Sequence, residues 1–362
     1  INHMSAPLFD KGALWCFTEE DVRKEIHTGV GSVTYALLLW PYANARYEAA
    51  VREPAVAELE LILASVGIPE KCEYRELSGA GALVFSSENE SLSETEIQRV
   101  WTHSLAYWFG ILQKDGSFLP LSGAKPARIG ADLPFVQKYK GKTNERFTQQ
   151  LINLALYSSK FEKEERLQLL DPMCGRGTTL FQALNRGWNA VGLDVDKKAI
   201  HDLLDYYEKY LQYHRLKHEK KQMSATVKGH KAVPFRTVRS ESTVLRVGEA
   251  DAAIAGAAVG RESQHLIVWD LPYGVQHAPG GEGGARQSFE TLLSRTIPSW
   301  HEALKTGGAA AVAYNVNTLR TESVRAIMEA CGLKPMRGGI YDRLEHWVEQ
   351  AVTRDVTVAV KA

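Results

Sequence analysis

The chain has 362 residues, and its 43 lysines and arginines balance 43 aspartates and glutamates. A net charge of zero with 44% hydrophobic residues argues against a disordered chain and against a small polybasic protein held to nucleic acid by bulk charge. The length predicts two domains, or one large domain with an extension, because single cores rarely exceed about 250–300 residues.

The cysteines and the apolar segments narrow the class further. Cys16, Cys72, Cys174 and Cys331 form no CxxC pair, so we expect no disulfide framework and no zinc ribbon, and we interpret the chain as cytoplasmic. No apolar run approaches the ~20 residues of a membrane helix, so we expect no membrane contact. Residues 1–4 are interpreted as a tag remnant.

The first elements predict a small α+β domain over residues 5–112. Its strands are β-branched and aromatic runs, and its second helix begins with capping-box spacing at Ser93. Residues 113–134, with Gly, Pro, Ser and Asp, are interpreted as a linker. Strand, helix, strand and helix are predicted in that order at residues 33–42, 54–67, 81–87 and 93–108.

From residue 135 to residue 362, strands and helices alternate, which predicts one α/β domain with a mostly parallel sheet covered on both faces. Residues 197–222 are predicted to form one long helix. The predicted strands include LQLLD, WNAVGLD, HLIVWD, GGAAAVAYNV and VTVAVKA.

Charge divides unevenly between the two parts. Residues 1–135 carry 11 basic and 18 acidic residues, whereas the remainder carries 32 and 25. The densest basic stretch, residues 206–239, has nine Lys or Arg against two Glu, interleaved with aromatic residues. It is either a solvated helix and loop or a surface for a single-stranded or looped polyanion. Arg215 and Lys217 are the candidate substrate contacts within it.

A glycine turn, DPMCGRGTT at residues 171–179, joins an apolar strand to a helix start. A dinucleotide site would need a third glycine where this chain has Leu180, whereas S-adenosylmethionine, which lacks a pyrophosphate, needs only the shorter turn. Asp194 ends the next strand and suits ribose hydroxyls, and Asp251 is a candidate contact for adenine. The candidate cofactor contacts of this region are Asp171, Pro172, Met173, Cys174, Gly175, Gly177, Thr178, Asp194 and Asp251.

A second motif, DLPYG, ends the strand HLIVWD. The two motifs together resemble those of the amino-group methyltransferases, and within them the THUMP-associated tRNA guanosine N2-methyltransferases. Residues 138–156, KYKGKTNERFTQQLINLAL, resemble the segment that leads into the catalytic domain of that subgroup. The resemblance covers roughly residues 138–362, and residues 33–112 resemble the ferredoxin-like module of the same enzymes.

The resemblance implies a Rossmann-like class I methyltransferase with a mostly parallel seven-stranded sheet, after a small ferredoxin-like α+β domain. It implies S-adenosylmethionine as cofactor, S-adenosylhomocysteine as product and no metal, with Thr143 among the cofactor contacts. Asp270 can accept a hydrogen bond from an exocyclic amine, and by resemblance the Leu271 carbonyl accepts the second. Pro272 stiffens the turn and Tyr273 can stack on a flipped base.

The glycine-rich residues 275–288 are either a surface loop or a lid, and His277 is a candidate for proton removal. No THUMP domain fits between the predicted linker and the catalytic segment.

We expect methylation of guanosine N2 in a structured RNA, most simply tRNA, with no obligatory protein partner. The alternatives are a small-molecule, nucleoside-like or peptide N-methyltransferase, a DNA adenine N6-methyltransferase and a non-catalytic cofactor-binding scaffold.

Overall fold

The computed structural model describes residues 32–68, 71–87, 91–139, 141–240, 243–271 and 281–362, with the backbone alone for 281–288. The described residues form a five-stranded sheet near the N-terminus and a ten-stranded sheet in the remainder. No helix within these ranges is both long and apolar enough to cross a membrane.

The N-terminal sheet has the order β2-β3-β1-β4-β5, and every neighbouring pair is antiparallel. Three helices lie between these strands in the chain. The strands are β1 (Val33–Leu39), β2 (Glu73–Leu77), β3 (Ala80–Ser87), β4 (Ala106–Leu112) and β5 (Phe118–Pro120), and the helices are α1 (Ala45–Ala50), α2 (Arg52–Ser65) and α3 (Glu94–Val100).

Two predictions for this part need correction. The capping box at Ser93 is confirmed, but α3 ends at Val100 and the chain then forms β4, because burial of Phe109 in the sheet core outweighs the helical spacing. The predicted linker contains β5, which pairs with β4 through a turn at Gly116, whose φ of +85° suits glycine.

The larger sheet has the order β13-β15-β12-β11-β6-β7-β10-β9-β8, and β14 pairs with β15. Its strands are β6 (Gln168–Asp171), β7 (Asn189–Asp194), β8 (His218–Ala225), β9 (Val233–Ser240), β10 (Thr243–Glu249), β11 (Gln264–Asp270), β12 (Leu304–Asn315), β13 (Lys334–Pro335), β14 (His346–Glu349) and β15 (Val352–Val360). The helices are α4 (Leu133–Val136), α5 (Glu145–Ser158), α6 (Thr178–Asn185), α7 (Lys197–Tyr213), α8 (Ala255–Val259), α9 (Gly281–Ala303) and α10 (Thr321–Ala330).

The sheet is mixed rather than mostly parallel. The five neighbours β12, β11, β6, β7 and β10 run parallel, and the remaining strands pair antiparallel. The α/β class is therefore as expected, whereas the count of seven strands is not. Much of the difference comes from the hairpin β8–β9, whose first strand takes the last residues, 218–222, of the helix predicted over residues 197–222.

The chain leaves α7 through a Schellman turn. Arg215 adopts a φ of +55°, its N–H donates to the Gln212 carbonyl at 3.0 Å, and Leu216 N–H donates to the Leu211 carbonyl at 2.8 Å. A non-glycine residue in this conformation gives no local signal that the helix ends, so the sequence pattern overestimates its length.

The two sheets share an interface built around α2 and α5. Ala57, Leu61 and Ile62 of α2 belong to the same hydrophobic core as the buried face of α5. At its centre lies the fully buried Glu58, whose Oε1 accepts hydrogen bonds from Ser104 N–H at 2.8 Å and from the Asn153 amide at 2.5 Å.

The second oxygen of Glu58 accepts a hydrogen bond from the Ser104 hydroxyl at 2.5 Å, and Arg186 donates to Asn153 Oδ1 at 2.6 Å. The polar groups of the interface therefore satisfy one another, which is the condition for burying them at low cost.

We predict that Glu58→Ala lowers the free energy of unfolding by about 2–4 kcal/mol, because it leaves buried donors without an acceptor and opens a cavity. Urea denaturation followed by fluorescence measures the effect. Glu73→Ala is the control, since Glu73 forms an exposed ion pair with Arg75 and its loss should cost no more than about 0.5 kcal/mol. Equal effects for the two variants would contradict the role given to Glu58.

Candidate active site

Three aspartates meet at one edge of the larger sheet. Asp171 is the last residue of β6, Asp194 of β7 and Asp270 of β11, and these strands are parallel neighbours in the order β11-β6-β7. The chain departs from β6 toward β7 on one side, and β11 lies on the other, so the edge includes a topological switch point. Open α/β sheets bind ligands at such a point, outside the carboxyl ends of the strands.

The glycine turn between β6 and α6 is tied to the end of β7 by two hydrogen bonds. Cys174 N–H donates to the Leu193 carbonyl at 2.8 Å, and Gly175 N–H donates to Asp194 Oδ2 at 2.8 Å. Asp196 N–H donates to the other Asp194 oxygen, also at 2.8 Å. Asp194 therefore holds both the glycine turn and the start of the loop that follows β7.

Glycine is needed at the two positions of the turn for different reasons. Both adopt positive φ, +49° at Gly175 and +89° at Gly177. A Cβ at Gly177 would lie 2.8 Å from Leu203 side-chain atoms, whereas a Cβ at Gly175 would meet no atom within 4 Å. Gly177 is therefore required for packing, and Gly175 leaves an open approach to the backbone of the turn.

Cys174 and Pro172 are buried in the turn, and Met173 is partly buried. Burial raises the pKa of the Cys174 thiol well above its ordinary value, and the charges of Asp171 and Asp194 raise it further. A thiol in these surroundings stays protonated and is a poor nucleophile. Cys174 therefore serves as a small apolar wall of the turn.

Asp171 is buried and lies beside two other carboxylates. Burial raises its pKa to about 7, hydrogen bonds from Thr179 and from Met173 N–H lower it, and the charges of Asp194 and Asp270 raise it. Near neutral pH this residue therefore carries a proton for much of the time, which reduces the negative charge of the site.

One carboxylate oxygen of Asp270 accepts a hydrogen bond, and the other accepts none from the described residues. Its Oδ2 accepts a hydrogen bond from the Thr143 hydroxyl, and its Oδ1 is buried without a hydrogen-bond partner among the described residues. Burial raises the pKa of Asp270 to about 6, while the charge of Arg354 and the Thr143 hydrogen bond lower it. Above that pH it presents a desolvated acceptor, a feature that marks functional sites.

The cofactor contact of Thr143 stays a prediction, and the structure gives this residue a second role. The sequence resemblance places it among the cofactor contacts, but its hydroxyl is engaged with Asp270 across 127 positions of the chain. Its position is fixed by the start of α5, where Asn144 caps the helix through Arg146 N–H at 2.9 Å and Phe147 N–H at 3.1 Å.

Thr178 begins α6, after β6, and Asp251 follows β10, farther along the same edge of the sheet. The Thr178 hydroxyl is 3.3 Å from the Tyr139 hydroxyl, and the Arg176 guanidinium covers the Tyr139 ring at 4.8 Å. Asp251 follows the end of β10, beside β7, and forms an ion pair with Arg295 at 2.9 Å. Arg295 thus competes for the carboxylate that the sequence assigns to adenine.

The remaining predicted residues divide into three groups. Leu271 is buried just beyond Asp270, and its N–H donates to the Ala313 carbonyl at 3.0 Å. Arg215 and Lys217 precede β8 at the amino edge of the sheet, opposite the three aspartates, so the structure does not bring them to the site. Three residues of the second motif and its loop, Pro272, Tyr273 and His277, lie outside the described residues.

Tyr47 of α1 is a neighbour of the site that sequence reasoning missed. Burial raises the pKa of Tyr47, the charge of Arg354 lowers it and the charge of Asp270 raises it. The Arg354 guanidinium also covers the Phe147 ring at 3.8 Å. Helix α1 thus contributes to the electrostatic surroundings of Asp270, a placement that follows from packing and leaves no motif in the sequence.

Within the described ranges, no group of three or more His, Cys, Asp or Glu side chains is arranged to hold a metal ion.

Solved structures similar to this chain include proteins that are named methyltransferases, whereas the sequence itself matches no protein-family model and no curated protein. One is a TehB-like SAM-dependent methyltransferase from Corynebacterium glutamicum, 15% identical, covering 54% of this chain and 80% of that chain at a TM-score of 0.32. Another, from Pyrococcus horikoshii, is named a "putative RNA methyltransferase" and is 14% identical over 64% of this chain and 92% of that chain, with a TM-score of 0.37. Similarity at this level concerns the Rossmann-like fold alone.

We predict that Gly177→Ala lowers the free energy of unfolding by about 2–4 kcal/mol, from strain at positive φ plus the close contact with Leu203. Gly187→Ala is the matched control, because Gly187 has a φ of +80° and a methyl group on its Cα would meet no atom within 4 Å. It should cost only the backbone strain, about 1–2 kcal/mol. Urea denaturation of both variants tests the difference. Equal losses of unfolding free energy would show that the Leu203 side chain moves away from the added methyl group at no cost.

Proposed function

We propose that the protein is an S-adenosylmethionine-dependent methyltransferase that acts on an exocyclic amino nitrogen. The observation that carries the proposal is the buried, unpartnered Oδ1 of Asp270 at a strand end, beside a glycine turn held by Asp194. An acceptor without a donor among the described residues, at the carboxyl edge of a Rossmann-like sheet, is suited to a substrate N–H.

The residues of the turn fit this cofactor. Gly175 leaves space for close approach, and Asp194 is placed to accept hydrogen bonds from ribose hydroxyls. The three clustered aspartates favour a ligand with a sulfonium and an ammonium group and disfavour a pyrophosphate. When bound, S-adenosylmethionine would supply a methyl group on a cationic sulfur. The nitrogen–carbon bond would form as the sulfur–carbon bond breaks, S-adenosylhomocysteine would leave, and the nitrogen would lose one proton to Asp270 Oδ1 or to solvent.

The role of Asp270 follows from the electronic structure of a nucleobase amine. Its nitrogen lone pair is delocalised into the ring, so the amine is a weak nucleophile. A hydrogen bond from the amine to Asp270 Oδ1 holds the nitrogen in line with the methyl group and increases its electron density. Thr143 keeps the other carboxylate oxygen engaged, so that Oδ1 faces the substrate. By resemblance, the Leu271 carbonyl takes the second amine hydrogen.

For the substrate we propose guanosine N2 in a structured RNA, with tRNA as the first candidate. The DPMCGRGTT and DLPYG motifs and the basic stretch of residues 206–239 support it. We further propose that the N-terminal domain is a ferredoxin-like module, because its strands β1 to β4 follow a βαββαβ order with the antiparallel arrangement β2-β3-β1-β4. The cytoplasmic location stays a prediction.

Cofactor binding is tested at Asp194. We expect Asp194→Ala to weaken S-adenosylmethionine binding by about 100-fold or more, since it removes a charged hydrogen-bond partner and releases the Gly175 turn. Isothermal titration calorimetry measures the affinity. The control Asp205→Ala removes an exposed carboxylate of α7 that pairs with Lys209 and should bind normally. Unchanged affinity in Asp194→Ala would refute the cofactor site.

Catalysis is tested at Asp270 through its titration. We expect Asp270→Asn to bind the cofactor normally and to lose about 100-fold or more in kcat. In the wild type, kcat should fall as the pH drops below about 6, because protonation removes the acceptor. Thr143→Val should move that fall to higher pH, since the lost hydrogen bond stabilised the carboxylate.

The assay uses labelled cofactor with total RNA, total DNA or a metabolite extract, followed by mass spectrometry of nucleosides and small products. Label as N2-methylguanosine in RNA supports the proposed substrate, whereas label in the metabolite fraction alone would replace it with a small molecule. A pH profile that is identical in wild type and Thr143→Val would contradict the assignment of its acid limb to Asp270.

A further inference from the structure

The hairpin β8–β9 extends the larger sheet beyond β10 and leaves a face of that extension open. Residues 219–224 of the edge strand β8 are all exposed, including Met223 at 67%. On the opposite face, Lys220 reaches α7 through an ion pair with Glu208 at 2.8 Å. The open face therefore consists of the alternate residues of β8 and β9 and their partners on β10.

This open face contains a groove of about 460 Å³. Its charged residues are Lys221, Arg239 and Arg246 against a single Glu219, and within the described ranges the three cations form no ion pair. Arg246 lies over the Phe235 ring at 4.4 Å, which leaves its charge at the floor of the groove. An excess of uncompensated positive charge over an apolar floor is suited to a sugar–phosphate backbone.

The groove leads toward the candidate active site. Register places Ala225 opposite Val233 and Phe235 opposite Gly248, next to the pair Glu249 and Asp194. The connecting residues 226–232 therefore project from the same edge of the sheet as the three aspartates. This turn carries three exposed cationic or titratable side chains, those of Lys228, His230 and Lys231.

The distance between groove and site indicates the size of the ligand. Three strand-to-strand steps separate β10, the near strand of the groove, from β11, and five separate the far strand β8 from it; these are roughly 14 Å and 24 Å, because neighbouring strands lie about 4.8 Å apart. A small molecule at Asp270 cannot reach the groove, whereas a polynucleotide can occupy both.

We infer that the groove of β8, β9 and β10 binds the phosphate backbone of the RNA whose base is presented to Asp270. The inference rests on the proposed function and adds the surface that holds the substrate. The expected RNA contacts are therefore Lys221 and Arg239 in the groove and the turn at the carboxyl edge. They replace Arg215 and Lys217, which lie at the amino edge.

The test measures binding of a folded, unmodified tRNA transcript by filter binding at several KCl concentrations. The double variant Lys221→Glu with Arg239→Glu should bind the transcript at least about tenfold more weakly. The slope of log K against log[KCl] should be smaller in magnitude by about 2 than in the wild type. The matched control, Lys163→Glu with Arg166→Glu, makes the same charge change at exposed positions just before β6. It should bind the transcript like the wild type.

Three results would overturn the inference. They are equal weakening in both double variants, greater weakening in an Arg215→Glu with Lys217→Glu variant than in the groove variant, and stronger binding of a DNA duplex of equal length. If the groove variant does not fold, as judged by circular dichroism, Lys221→Gln with Arg239→Gln replaces it, with the same expected direction.

Calorimetry with S-adenosylmethionine on the wild-type protein distinguishes failure of the proposed function from failure of the role given to the groove. Absence of cofactor binding refutes the proposed function. Normal cofactor binding together with unaltered RNA binding in the groove variant refutes only the role of the groove.

Discussion

Parallel pairing of β6 with β7 and β11 forces the carboxyl ends of these strands, and with them Asp171, Asp194 and Asp270, onto one edge of the sheet. Like charges in a partly dry environment repel, and the structure relieves that repulsion differently at each residue. Backbone N–H groups stabilise Asp194, burial keeps a proton on Asp171, and Thr143 and Arg354 partly compensate Asp270. The remaining negative charge is the basis for proposing a cationic cofactor and an amine as the ligands of this edge.

The N-terminal part of the chain supports this edge rather than standing apart from it. Its helix α2 completes the core that covers α5, and α5 in turn begins just after Thr143 and Asn144. The buried contacts of Glu58 hold α2 against Asn153 of α5, so the position of Thr143 relative to Asp270 depends on packing between the two sheets. A domain rich in acidic residues can thus contribute through positioning and through Tyr47.

The net charge of the chain is zero, but acidic and basic residues are concentrated in different parts of the chain, which the fold holds apart. Acidic residues predominate before residue 136, and basic residues predominate after it. The sequence locates the basic stretch of residues 206–239 but predicts its first part as helix up to residue 222, because α7 has an amphipathic spacing and Arg215 gives no signal that the helix ends. The hairpin then places alternate side chains on opposite faces, so that neighbours in sequence such as Lys220 and Lys221 have different surroundings.

Local sequence is enough to specify the strand–glycine turn–helix unit of residues 168–185, the aspartates at the strand ends and the capping box at Ser93. Those features depend on residues a few positions apart, where spacing and backbone preference set the conformation. The folded chain was needed to reveal the partner of Thr143, the burial of Glu58, the placement of Tyr47 and the existence of β8 and β9. These depend on contacts between distant parts of the chain, such as the 127 positions between Thr143 and Asp270 and the 95 between Glu58 and Asn153, for which local pattern carries no information.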